Sequence, residues 1–204
     1  MEDTANNNFC ILRGVLRDAP AFSHESRGER FYRFSLDVQR LSGAVDTLQI
    51  IAKKQLLEAL EPDQTGKICV TGELRSFNNK SGIGPRLLIT VYAREIRFEC
   101  GEDENSISLT GTLCKEPIYR VTPMGREICD LMLAVNRRYG RSDYLPCIAW
   151  GTSARDAARW SVGTEVQLSG RIQSRIYTKN EDGVTVEKTA YEVSVIRISE
   201  AGQD

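Results

Sequence analysis

Over residues 33–39 the order Arg-Phe-Ser-Leu-Asp-Val-Gln alternates polar and apolar, as does Val-Gln-Leu-Ser-Gly-Arg-Ile over 166–172. A period of two belongs to a strand that lays one face on a core. Such runs fall near residues 9–17, 30–40, 46–52, 67–76 and 86–98, and five more follow in the second half of the chain. Between the third and fourth runs the pattern turns helical, at 53–60 and again at 153–160, and each helical stretch ends before a turn containing glycine, Gly66 or Gly163.

The two halves are related. Leu12-Arg13-Gly14-Val15-Leu16 reads against Leu109-Thr110-Gly111-Thr112-Leu113 at a shift of 97 residues. The same shift sets Leu36-Asp37-Val38-Gln39-Arg40 on Leu133-Ala134-Val135-Asn136-Arg137, and Asp46, Leu48, Ile51 and Ala52 on Asp143, Leu145, Ile148 and Ala149. After one inserted residue, Gly72-Glu73-Leu74-Arg75-Ser76 meets Gly170-Arg171-Ile172-Gln173-Ser174. A shift held this long marks a duplicated domain. The expected organisation is a first domain over 1–99, an acidic linker over 100–105 and a second domain over 106–204. Five strands with one helix between the third and fourth is the order of the OB fold, so the fold class is all-β, two tandem five-stranded Greek-key barrels. Strand order alone also permits an SH3-like barrel; the helix position favours OB. Gly14, Gly72, Gly111 and Gly170 fall inside strands, where a small barrel bends.

Composition narrows the function. The net charge is −1, so no global positive field marks a nucleic-acid binder. What matters is where the cations lie. Arg137-Arg138-Tyr139-Gly140-Arg141-Ser142-Asp143-Tyr144 interleaves arginine with aromatics, and Arg171, Arg175 and Tyr177 continue the pattern. Exposed aromatics beside cations suit a sequence-tolerant binder of single strands, because every base offers a π-face. Arginine pairs with phosphate and stacks on bases as well. Trp160, on the helical stretch, reads as a core residue.

Enzyme chemistry finds little here. The chain has one histidine, His24, in a loop-like run, and neither a phosphate-cradling Gly-rich loop nor a nucleophile elbow. The six cysteines form no C-x-x-C pair, which leaves no zinc site and points to buried, reduced thiols. We expect no catalytic residues, metal or cofactor. No run approaches the roughly 18 apolar residues of a membrane span and residues 1–8 are polar, so a cytoplasmic protein is expected.

Residues 106–199 resemble the bacterial and phage-type single-stranded-DNA-binding protein family, and the repeat extends the likeness more weakly to 9–98. The segments that carry it are Leu109-Thr110-Gly111-Thr112-Leu113 with Glu116-Pro117, Arg120-Val121-Thr122-Pro123-Met124-Gly125, Leu133-Ala134-Val135-Asn136, Asp143 to Gly151, and Gly170-Arg171-Ile172-Gln173-Ser174-Arg175. The resemblance implies that Tyr144, Trp150, Tyr139 and Tyr177 stack on bases and that Arg120 contacts DNA. Arg137, Arg138, Arg141, Arg171 and Arg175 are the accompanying phosphate partners. In the first domain Thr47 stands at the position of Tyr144 and Lys53 at that of Trp150, leaving Phe77, with Arg75 and Lys80, as its best binding candidates. The implied function is sequence-tolerant binding of single-stranded DNA in replication, recombination or repair, by a homodimer that gathers four barrels. The alternative is an OB-fold interaction scaffold of a primosome-like or mobile-element complex. The sequence ends soon after its last strand, so recruitment through an acidic tail is not expected.

Overall fold

The computed structural model describes residues 7–58, 66–79, 86–137, 140–181 and 184–202. Its strands are β1 (Asn8–Leu16), β2 (Ala21–Ser26), β3 (Glu29–Gln39), β4 (Val45–Lys53), β5 (Lys67–Asn78), β6 (Leu87–Phe98), β7 (Glu104–Leu113), β8 (Ile118–Val121), β9 (Glu127–Asn136), β10 (Ser142–Trp150), β11 (Glu165–Glu181) and β12 (Val184–Glu200). Two helices are described, α1 (Lys54–Leu57) and α2 (Gly151–Ala157). The chain divides into two compact units, one of Phe9–Arg75 and Ile89–Ser106, the other of Met1–Asn8, Ser76–Leu88 and Ile107–Asp204.

Each unit contains an OB barrel. In the first, strands run β3-β4-β6-β5-β1, and β1 returns to pair with β3. In the second the order is β9-β10-β12-β11-β7, closed by β7 on β9. The registers repeat as well. Val15 faces Asp37 across β1 and β3, and Thr112 faces Ala134 across β7 and β9, both displaced by the sequence shift. β4 pairs with β6 in parallel at Ile50↔Val91, and β10 with β12 at Cys147↔Val193.

Both barrels also carry a sixth strand outside the five: β2 alongside β3, and β8 alongside β9. Every residue of β8 is exposed and β2 is nearly so. Such strands lack the apolar alternation that betrays a half-buried one.

The inward positions of the five-stranded barrels form the cores. Leu36, Val38, Leu48, Ile50 and Val91 fill the first, and Leu133, Val135, Leu145, Cys147 and Val193 the second, all buried. Burying each large aliphatic side chain contributes about 1.5–3 kcal/mol. Gly14 and Gly111 sit where closing strands cross. A Cβ there would meet the carbonyl oxygen of Asp37 at 2.2 Å or of Ala134 at 2.5 Å, so the pairing that closes each barrel depends on a missing side chain.

Helix α2 starts two residues earlier than the sequence pattern places it. Trp150 is still extended, and Gly151, at φ +55°, turns the chain directly from β10 into the helix. Its end is tightened, with the Arg159 and Trp160 N–H groups donating to carbonyls three residues back at Asp156 and Ala157. Trp160 lies just beyond, partly buried.

Candidate nucleic-acid interface

Cross-strand partners share a sheet face, and side chains two apart along a strand stay on it. Across β8, β9 and β10 the register aligns Arg120, Ile128 and Trp150. The next row aligns Ile118, Asp130, Ile148, Ser194 and Arg171 through β12 and β11. Arg120, Trp150 and Arg171 therefore lie on one face. Steps of two residues bring Tyr144, Arg175 and the backbone position of Tyr177 onto it. The opposite face carries Leu131, Leu133, Leu145, Cys147, Ile172 and Val193, all buried. Five strands thus place on one outer surface the residues that the sequence scatters over nearly sixty positions.

Each of these side chains is held differently. Tyr144 is half exposed, at 50%. Trp150 is 37% exposed, and its indole Nε1 donates to Ser194 Oγ at 3.2 Å, which fixes the ring against β12. Arg120 donates from Nε and a terminal nitrogen to both carboxylate oxygens of Asp130, at 2.7 and 3.2 Å. That hydrogen-bonded carboxylate raises the arginine's pKa above its ordinary value, so the cation is always charged. The pair is solvent-exposed, and an exposed ion pair is worth only about 0–1 kcal/mol, so a competing anion would displace it at little cost. Arg175 meets Glu192 only at 3.9 Å, and a terminal nitrogen of Arg171 reaches Gln173 Oε1 at 3.5 Å.

Arg137 is placed otherwise. It lies with the inward-facing positions of β9 and donates through Nε, at 2.6 Å, and a terminal nitrogen to the two carboxylate oxygens of Asp143. Asp143 is fully buried and also accepts from the Ser76 backbone N–H at 2.6 Å. Arg137 in turn reaches the Ser76 carbonyl at 3.2 Å and covers the ring of Phe77, its guanidinium carbon 5.5 Å from the centroid. The first barrel repeats this clamp. Arg40 donates to both oxygens of buried Asp46 at 2.6 and 2.5 Å, and that bond raises its pKa above the ordinary value. The carboxylate in each clamp escaped the reading of the sequence as a functional residue, although Asp46 and Asp143 correspond in the repeat.

The remaining candidates divide as follows. Arg141 is exposed in the turn before β10, where its carbonyl accepts from the Arg137 N–H at 2.6 Å. Phe77 is 47% exposed. Arg75 forms an ion pair with Glu73, which also receives Arg94 at 2.7 Å. Arg138, Tyr139 and Lys80 lie outside the described residues, as does the side chain of Tyr177. In the first barrel Thr47, standing for Tyr144, donates to Asp37 at 2.6 Å, and Lys53, standing for Trp150, pairs with Glu29 at 2.7 Å.

The six cysteines are free; four are buried, Cys114 is partly so and Cys100 is exposed. Burial pushes the Cys10 thiol up to about 12 and raises that of Cys147 too, which leaves them without the thiolate that reacts. No group of three or more His, Cys, Asp or Glu among the described residues is arranged to hold a metal ion. No described helix is long and apolar enough to cross a membrane.

Comparison with known proteins bears on the family and the fold. The profile described as "Single-strand binding protein family" matches residues 104–199. Single-stranded DNA-binding protein B of Bacillus subtilis (strain 168) is 36% identical over 100 residues, covering 46% of this chain and 88% of that protein. The single-stranded DNA-binding protein of Halalkalibacterium halodurans is 33% identical over 84 residues, 38% of this chain and 50% of its own length. Against several such relatives, then, the matching part of the chain spans only about half their length. The crystal structure of wild-type single-stranded DNA binding protein from Thermus aquaticus superposes with a TM-score of 0.74 at 21% identity, covering 97% of this chain and 94% of that one, which extends the fold likeness to both barrels. With most of the Bacillus subtilis protein matched at this identity, the chain belongs to the single-strand binding protein family.

Proposed function

We propose that the chain is a binding protein, not an enzyme, that holds single-stranded DNA with little regard to sequence. Bases stack on Tyr144 and Trp150, while Arg120, Arg171 and Arg175 meet phosphates. The observation that carries this is the register, which gathers two exposed aromatics and three arginines on one outer face of the second barrel. Tyr177, Tyr139, Arg138 and Arg141 are assigned to DNA contact alongside them. We assign Arg137 to the clamp on Asp143 and not to DNA. A protein that holds exposed single strands would serve in replication, recombination or repair, inside the cell. Two barrels per chain make a homodimer the assembly that yields four, which light scattering tests.

Anisotropy titrations of a fluorescent oligo-dT test the binding itself. The logarithm of the affinity should fall with the logarithm of salt concentration, at a slope of about −0.7 for each phosphate neutralised. Duplex of the same length should compete poorly. Binding that ignores salt, or that favours duplex, overturns the proposal.

A further inference from the structure

The face that carries Tyr144 and Trp150 also carries acid. Two residues along from Ser194 and Arg171, the register pairs Glu192 on β12 with Gln173 on β11. Both side chains therefore share the face of Trp150, while Ile172 and Val193 beside them are buried in the core. Asp130, the other acid here, is committed, with both oxygens held by Arg120. Glu192 is only half so. Its Oε1 accepts from Gln173 Nε2 at 2.8 Å, but its Oε2 meets Arg175 Nε at 3.9 Å, beyond hydrogen-bonding distance. That oxygen keeps the capacity to accept.

Glu192 differs from a solvated surface charge in depth and in orientation. Its side chain is 13% exposed and Gln173 is 8% exposed, so the pair lies low in the face. Gln173 is fixed end for end, because its Oε1 faces a terminal nitrogen of Arg171 at 3.5 Å and its amide nitrogen is left to face the carboxylate. A recessed acid repels phosphate, for which the exposed Arg120 and Arg175 are the better partners. It suits the edge of a base. Ser194, which holds the Trp150 indole, is two residues and so about 7 Å along β12 from Glu192. Cytosine offers an amino group as donor at the position where thymine and uracil offer a carbonyl oxygen.

We propose that Glu192, held by Gln173, reads base edges on this face, accepting from the amino group of cytosine and disfavouring the carbonyl of thymine and uracil. A base stacked on Trp150 presents that edge to Oε2. The inference rests on the reading of the second barrel as a single-strand binder and adds a graded bias to it: stacks and phosphate contacts hold any strand, and the carboxylate ranks them. The test compares fluorescent oligo-dC and oligo-dU of equal length on the full chain, at mildly alkaline pH where cytosine stays unprotonated. Glu192→Gln should lower the ratio of dC to dU affinity about fivefold, because Gln173 holds the carbonyl of the new amide and turns its NH2 group toward the base. Losing a negative charge raises both affinities, so the ratio is the readout, and a merely structural role would not move it. A second probe needs no variant. An oligonucleotide of 2-pyrimidinone, which lacks the amino group, should bind the wild-type chain about fivefold more weakly than oligo-dC. If the ratio stays within about twofold in Glu192→Gln, or the 2-pyrimidinone strand binds as well as oligo-dC, the base-reading role is wrong and the stacking surface stands. A wild-type chain that binds none of the probes removes both.

Discussion

Replacing Arg137 by alanine distinguishes an arginine that holds the barrel from one that holds DNA. The substitution leaves the Asp143 carboxylate fully buried without its guanidinium partner, still accepting from the Ser76 N–H. Removing one partner of a buried ion pair costs roughly 3–5 kcal/mol. Arg137 is itself 19% exposed, so the lower end, about 3 kcal/mol, is the better figure. For a cooperative unit of about 120 residues that corresponds to a fall in Tm on the order of 10–15 °C. Thermal melts followed by circular dichroism measure it. Arg40→Ala should cost a similar amount, because Asp46 is buried just as completely. Pairing Arg137→Ala with Asp143→Ala should recover part of the loss, since no buried charge is then left alone. A melt that does not move while DNA affinity drops would show that the clamp is incidental and that Arg137 belongs to the binding surface.

Other consequences follow from the same geometry. Tyr144→Ala should weaken oligo-dT binding by about 1–3 kcal/mol with an unchanged melt, whereas Trp150→Ala, which also loses its bond to Ser194, should lower both. Gly111→Ala should destabilise the second barrel by several kcal/mol, or about as much as a strained core substitution, because its Cβ collides with the Ala134 carbonyl; chemical denaturation reads this, and a loss under ~1 kcal/mol contradicts it. In native protein Cys100 should react with a thiol reagent while Cys10 and Cys147 wait for unfolding, which mass spectrometry follows. The Cys10 thiol is held protonated up to about 12 in the fold against 9.0 ordinarily, so its contribution to stability is whole below pH 9 and lost as pH rises toward 12. Cys10→Ala should remove that part of the alkaline decline in Tm.

Much of this arrangement could be read from the chain. Tyr144 and Trp150 are six residues apart, an even number, so a strand puts them on one face, and the duplication fixed which strand that was. Arg137 could not be judged the same way. In sequence it sits beside Arg138 and Tyr139 and resembles a basic hairpin tip, but its direction is set by a carboxylate across the turn. The Arg40–Asp46 pair, repeated in the duplication, was the available signal.

The surface of the second barrel is tested most directly by its two tryptophans. In a Trp160→Phe variant the fluorescence comes from Trp150 alone, and in a Trp150→Phe variant from Trp160, beyond α2. Saturating oligo-dT should quench the first strongly, as a base stacks on the indole, and leave the second nearly unchanged. Equal quenching of both, or quenching confined to Trp160, would contradict a binding face built on β10.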